Sequence, residues 1–142
     1  MAKYHGKDSY FAIEDSGATT LRDVGQYCDS IDFGRETALA KSTTIGLEDE
    51  TYLSGLNGAT ISLSGKWDDA ATTGPHVVLN GLVGSDVSVG FEYGPAGNTT
   101  GRARLTGECF VESYSVSSPL EDVVKFSASI RITGVVTTGT FP

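Results

Sequence analysis

The sequence predicts a mainly β protein with one short flanking α-helix and one long connecting segment, and three observations carry that prediction. The composition is skewed toward Gly, Thr, Ser and Val rather than the Ala, Leu, Glu and Lys of long helices. Several stretches alternate apolar and polar residues with the period-two spacing of a half-buried strand. Only one stretch has the spacing and the punctuation of a helix.

Taken in chain order, the early strand signals are short: 9–13, 21–24 and 30–36. Residues 37–58 come next and read as a long loop. A structureless connection of about 20 residues is unusual inside a compact domain. This one also carries Leu39, Ile45, Leu47, Tyr52, Leu53 and Leu56, and each large apolar side chain costs about 1.5–3 kcal/mol if left in water. They must bury against the chain's own sheet, through an unrecognised hairpin, or against a neighbouring subunit.

From Thr60 the pattern is clearer. TISLSGKW puts Ile61, Leu63 and Trp67 on one face and Ser62, Ser64 and Lys66 on the other. Residues 75–83 form the helix: Pro75 suits the first turn, Val78, Leu79, Leu82 and Val83 make an apolar stripe, and Gly84 suits the cap. DVSVGFEY aligns Val87, Val89, Phe91 and Tyr93. PAGNTTG is a turn by composition.

The stretch 102–116 resists a single parity. Leu105, Cys109 and Val111 fall on one face and Phe110, Tyr114 and Val116 on the other. This predicts a bulge near 107–111, or two buried faces. VVKFSASIRIT places Val124, Phe126, Ala128, Ile130 and Ile132 inward. Residues 135–142 follow as a further strand or an arm. The predicted core is therefore Ile61, Leu63, Trp67, Phe91, Phe126 and Ile130.

The length of 142 residues fits one domain. Ten basic against 18 acidic residues give a net charge of −8. Nucleic-acid binding works through phosphate neutralisation, so this balance disfavours a gripping surface. Lys66, Arg102, Arg104, Lys125 and Arg131 could share a sheet face, but no stacking aromatics interleave them. Cys28 and Cys109 are too few for a disulfide framework and have no zinc-like spacing; both read as reduced, partly buried thiols. The first residues, MAKYHGKDSYF, lack the apolar run of a signal peptide. No stretch approaches the ~18 apolar residues of a membrane helix, so no membrane partner is expected.

Catalytic chemistry is hard to assemble. His5 lies near a terminus and His76 in the first helical turn, facing solvent, and neither has a recognisable nucleophile partner. Glu48–Asp49–Glu50, Asp68–Asp69 and Glu121–Asp122 are adjacent carboxylates without the separation of a glycosidase pair or the spacing of a calcium loop. They read as solvated faces, with Asp68 or Asp69 capping a turn after Trp67. Asn98-Thr99-Thr100 matches a glycosylation sequon with nothing to support it. No nucleotide fingerprint occurs, and no cofactor or metal is expected.

Four segments, in this order, resemble the tail tube proteins of long-tailed phages. CDSIDFGRETALAKSTTIG reads as a strand departing into a long Thr-rich loop. TYLSGLNGATISLSGKWDD reads as an aromatic and Gly-rich lead into an alternating strand. The third is VGFEYGPAGNTTGRARLTGECFVESYSVSSPLEDVVKFSASIRITG, and the fourth is the terminal TGTF. The run SYSVSSPLEDVVKFSASIRITG, with its Pro-containing turn between two strands, is the most telling part.

The resemblance implies a β-sandwich or half-open barrel, with six copies in a ring and rings stacked into a hollow tube in a virion tail assembled in the host cytoplasm. It implies a ring-to-ring role for the loop, through Leu47, Glu48, Asp49, Glu50, Tyr52, Leu53 and Leu56. Its implied partners are further copies of itself and tape-measure, initiator or terminator proteins, with double-stranded DNA passing through without tight binding. The alternative is a β-sandwich module binding carbohydrate or protein. Such a module would expose several aromatics on one face, whereas Trp67, Phe91, Tyr93 and Phe126 share parity with aliphatics.

Overall fold

The computed structural model describes residues 3–15, 20–71 and 74–142. Among the described residues seven strands form one antiparallel sheet: β1 (Tyr10–Glu14), β2 (Leu21–Asp23), β3 (Cys28–Lys41), β4 (Tyr52–Lys66), β5 (Val89–Gly94), β6 (Ala103–Ser117) and β7 (Lys125–Thr140). Their order across the sheet is β2-β1-β5-β6-β7-β4-β3. One helix, α1 (Pro75–Leu82), lies between β4 and β5 in the chain and packs against β6.

The sheet rolls over on itself as a half-open barrel. Phe33 of β3 lies 6.4 Å from Phe91 and 5.7 Å from Tyr93 of β5, ring centre to ring centre. Three strands separate β3 from β5 in the sheet, so these contacts cross the interior. Phe11 completes the aromatic layer, 6.5 Å from Phe91. Ile61, Leu63, Phe91, Phe126 and Ile130 are all buried there. Trp67 is partly buried at the rim of the core, its ring 5.3 Å from that of His76.

Several features follow directly from residue type. Asp68 accepts a hydrogen bond from the Ala70 N–H at 2.7 Å, capping the turn after β4. Pro75 opens α1, and Val78, Leu79 and Leu82 bury its inner stripe. Val83 falls outside the helix and is exposed. Val87 also departs from expectation: it precedes β5 and is largely exposed. β5 begins only at Val89, so a period-two pattern ran past the end of its strand.

The parity conflict in 102–116 is resolved by a bulge, and its place differs slightly from the one expected. β6 and β7 change register between Thr106 and Glu108 and again between Val111 and Ser113. The second shift inserts one residue into β6, which flips parity. Cys109 and Val111 before it and Tyr114 after it can then all face the core.

The largest correction concerns residues 37–58. They are not a loop: β3 continues to Lys41, β4 begins at Tyr52, and only 42–51 connects them. Ala40 pairs with Leu53 and Lys41 with Tyr52. The alternation was illegible because this hairpin has no buried face within the subunit. Its apolar residues occupy both parities, with Leu53 on one and Tyr52 and Leu56 on the other. β7 likewise runs through Val135 to Thr140 as strand.

Candidate assembly surface

The hairpin made by 37–41 and 52–58 is an arm that projects beyond the body of the sheet. β4 pairs with β7 only from Thr60 to Lys66, so the arm has strand pairing on one side of β4 alone. Its tip is built by its own polar groups. The Ser42 N–H donates to the Thr51 carbonyl at 2.8 Å, and the Thr51 N–H donates to the Thr43 hydroxyl at 2.8 Å. Gly46, at φ 102°, takes a turn position that L side chains rarely adopt.

Leu39, Ile45, Leu47, Tyr52, Leu53 and Leu56 are each at least half exposed on this arm, Leu56 at 87% and Ile45 completely. The acidic run is divided by the fold. Glu50 accepts from Lys41 at 2.9 Å and from the Tyr52 hydroxyl at 2.9 Å. The Lys41 ammonium, then the Tyr52 hydroxyl, hold the Glu50 carboxyl below the usual range. Glu50 is thus engaged within its own arm, while Glu48 and Asp49 remain exposed near the tip.

Two further features of this surface come from topology. β3 is an edge strand of 14 residues. β6 pairs with β5 only through 105–109, so 110–117 has a strand partner on one side alone. The four-stranded portion β6-β7-β4-β3 therefore has an open edge at each side. Unpaired edges of this length are a hazard that monomeric proteins usually avoid.

Between those edges, the face turned away from the core is dominated by hydroxyls. Ser62 pairs with Ser129, Ser64 with Ser127, Ser113 with Ser129 and Ser115 with Ser127. Ser115 and Ser127 share a 2.7 Å hydrogen bond. The lysines here are paired: Lys66 with Asp29 at 3.3 Å and Lys125 with Asp122 at 2.8 Å. Hydrogen bonding to Lys125 lowers the Asp122 carboxyl, and Asp122 in turn raises Lys125.

The histidines form no nucleophile–base pair with a cysteine or serine among the described contacts. His76, expected in solvent, is half-buried between Trp67 and Tyr114, with Nδ1 3.3 Å from the Tyr114 hydroxyl. The local sequence held no sign of this, because Tyr114 arrives from a strand 38 residues away. Among the described residues no group of three or more His, Cys, Asp or Glu is placed to hold a metal. No helix among them is long and apolar enough to cross a membrane.

No family model matches the sequence, and no curated protein does. Solved structures do match. The chain is similar to one in the virion of a native gene transfer agent particle, with 13% identity and a TM-score of 0.77, covering 97% of this chain and 100% of that one. It is similar to the tail of an empty gene transfer agent particle of C6 symmetry, with 13% identity and a TM-score of 0.80 over the same shares. It is also similar to the SPP1 tail tube, with 9% identity and a TM-score of 0.76, covering 97% of this chain and 80% of that one. At these identities the likeness is one of architecture: the chain has the fold found in phage-like tails and tail tubes.

Proposed function

We propose that this chain is the structural subunit of a virion tail tube and carries no catalytic activity. Six copies close into a ring, as the C6 tail of similar fold suggests, by pairing the free edge of β3 with the free edge of β6 at 110–117 in the next copy. The hydroxyl face between those edges then lines a channel for double-stranded DNA. Rings stack by placing the arm in a neighbouring ring, where Leu47, Tyr52, Leu53 and Leu56 leave water. Tape-measure, initiator and terminator proteins are the further partners of such a tube, which assembles in the host cytoplasm.

The observation that carries this reading is the arm. Six large apolar side chains stand out in water on a hairpin that contributes nothing to the subunit's own core. At even about 1.5 kcal/mol each on full burial, their transfer into a neighbour favours assembly substantially. Ring closure by edge pairing also removes the unpaired strand edges.

Negative-stain microscopy of the purified chain tests the proposal. Rings or hollow tubes are expected. A monodisperse monomer at every concentration, or robust turnover lost on changing His76, would overturn it.

A further inference from the structure

The sheet contains a fork that the tube reading does not by itself use. Beyond Thr60 and Arg131, β4 and β7 part company: β4 continues into the arm with β3, and β7 continues with β6 to Thr140. Gly134, at φ 81°, turns β7 away at this point. A cleft of about 240 Å³ opens between the two branches, lined by Arg35, Asn57, Ala59, Gly134, Val135 and Val136. Val135 is 83% exposed beside it. Arg35 has no carboxylate partner among the described residues; of the other cations in strands, Arg22, Lys41, Lys66, Arg104 and Lys125 each have one, and Arg131 does not.

The opposite end of the sheet carries the matching features. Residues 118–124 join β6 to β7 beside Lys66, at the far end of β4 from the arm. Leu120 in this turn is 99% exposed. Glu121 is exposed and has no basic partner among the described residues, whereas Asp122 is taken by Lys125. One end thus offers an apolar slot with an unpaired cation, and the other a solvated leucine with an unpaired anion beside it. A contact between two different patches propagates head to tail instead of closing as a dimer.

We propose that the 118–124 turn of a second copy docks in this fork, with Leu120 entering between Ala59 and Val135 and Glu121 meeting Arg35. The proposal rests on the tube reading for the head-to-tail order of copies. It adds a second axial contact, separate from the arm. The ion pair fixes which side chains meet, and the leucine supplies apolar burial.

Disulfide trapping tests the contact. One chain carries Leu120→Cys and a size tag, and the other carries Val135→Cys. They are mixed at high concentration and oxidised. Native Cys28 and Cys109 are half-buried and buried, and the unsubstituted chain sets the background. The expected result is a heterodimer several-fold in excess of both homodimers, reduced several-fold when Arg35→Glu is added and restored when Glu121→Arg is added on the partner. A heterodimer no more abundant than the homodimers overturns the proposal. Native tubes without that excess would sink this contact and leave the tube reading standing. A heterodimer excess from a chain that never forms rings or tubes would support the contact and sink the tube reading.

Discussion

Phe126 is fixed by its neighbours on both sides. It pairs with Gly65 on β4 and with Val116 on β6, and its ring lies 6.2 Å from that of Tyr114. The glycine opposite is required: a Cβ at Gly65 would meet the Tyr27 carbonyl oxygen at 2.2 Å. Phe126→Ala leaves a cavity that backbone cannot fill from that side, and should cost about 3–5 kcal/mol. The check is urea denaturation of the subunit; an unchanged midpoint would contradict the packing. The thiols give a second prediction at this scale. Burial, with smaller contributions from nearby carboxylates, pushes both Cys28 and Cys109 up to about 12 from the ordinary 9.0. Each folded thiol holds its proton where the unfolded one has lost it. The stability tied to these groups is therefore complete below about pH 9 and declines as pH rises from there toward 12. Both thiols should react slowly with a neutral alkylating reagent at pH 8 in the native state, and quickly in denaturant. Fast native labelling would contradict the burial.

At the scale of elements, what the sequence revealed tracks where each element finds its burial. β4 beyond Thr60, β7 and α1 bury one face inside the subunit, so Ile61, Leu63, Phe126, Ile130, Val78 and Leu79 recur at the spacing their geometry demands. The arm buries neither face there, so no period marked it as strand and only its apolar content showed. β6 was readable up to the point where a single inserted residue exchanged its faces. The arm's pairing is local to β3 and β4, which separates it from the core and yields a third prediction. Replacing residues 37–58 by a short Gly/Ser turn should leave a folded subunit whose melting point lies within a few degrees of the parent, yet which no longer forms long tubes. A calorimetric scan and electron microscopy of the same sample decide the matter. Loss of folding would make the arm part of the core, and long tubes from the variant would assign the axial contact elsewhere.

At the scale of the whole molecule, strand order was beyond the reach of sequence. Which edges stay open depends on pairings between distant segments, such as β1 with β5, and period-two patterns specify faces, not neighbours. Charge, by contrast, was legible in total but not in arrangement. The net −8 disfavours DNA binding, and the fold adds a local reason: Lys66 and Lys125 lie at the hydroxyl-rich face with Asp29 and Asp122 against them, which leaves Arg131 on that face without an ion pair among the described residues. A lysine already holding a carboxylate releases few counterions on meeting a phosphate, so little binding free energy is gained. Assembled protein should therefore show no retention of duplex DNA at micromolar concentration near physiological salt. Asp29→Asn combined with Asp122→Asn would free both lysines and remove two negative charges from each copy. Because these ion pairs are solvent-exposed, the double variant should lose little stability. It should gain measurable DNA affinity that falls as salt is raised. Filter binding across a salt series compares the two proteins directly. Sub-micromolar, salt-sensitive binding by the parent would show that the lysines are not masked. A double variant as inert as the parent would show that this face does not meet DNA at all.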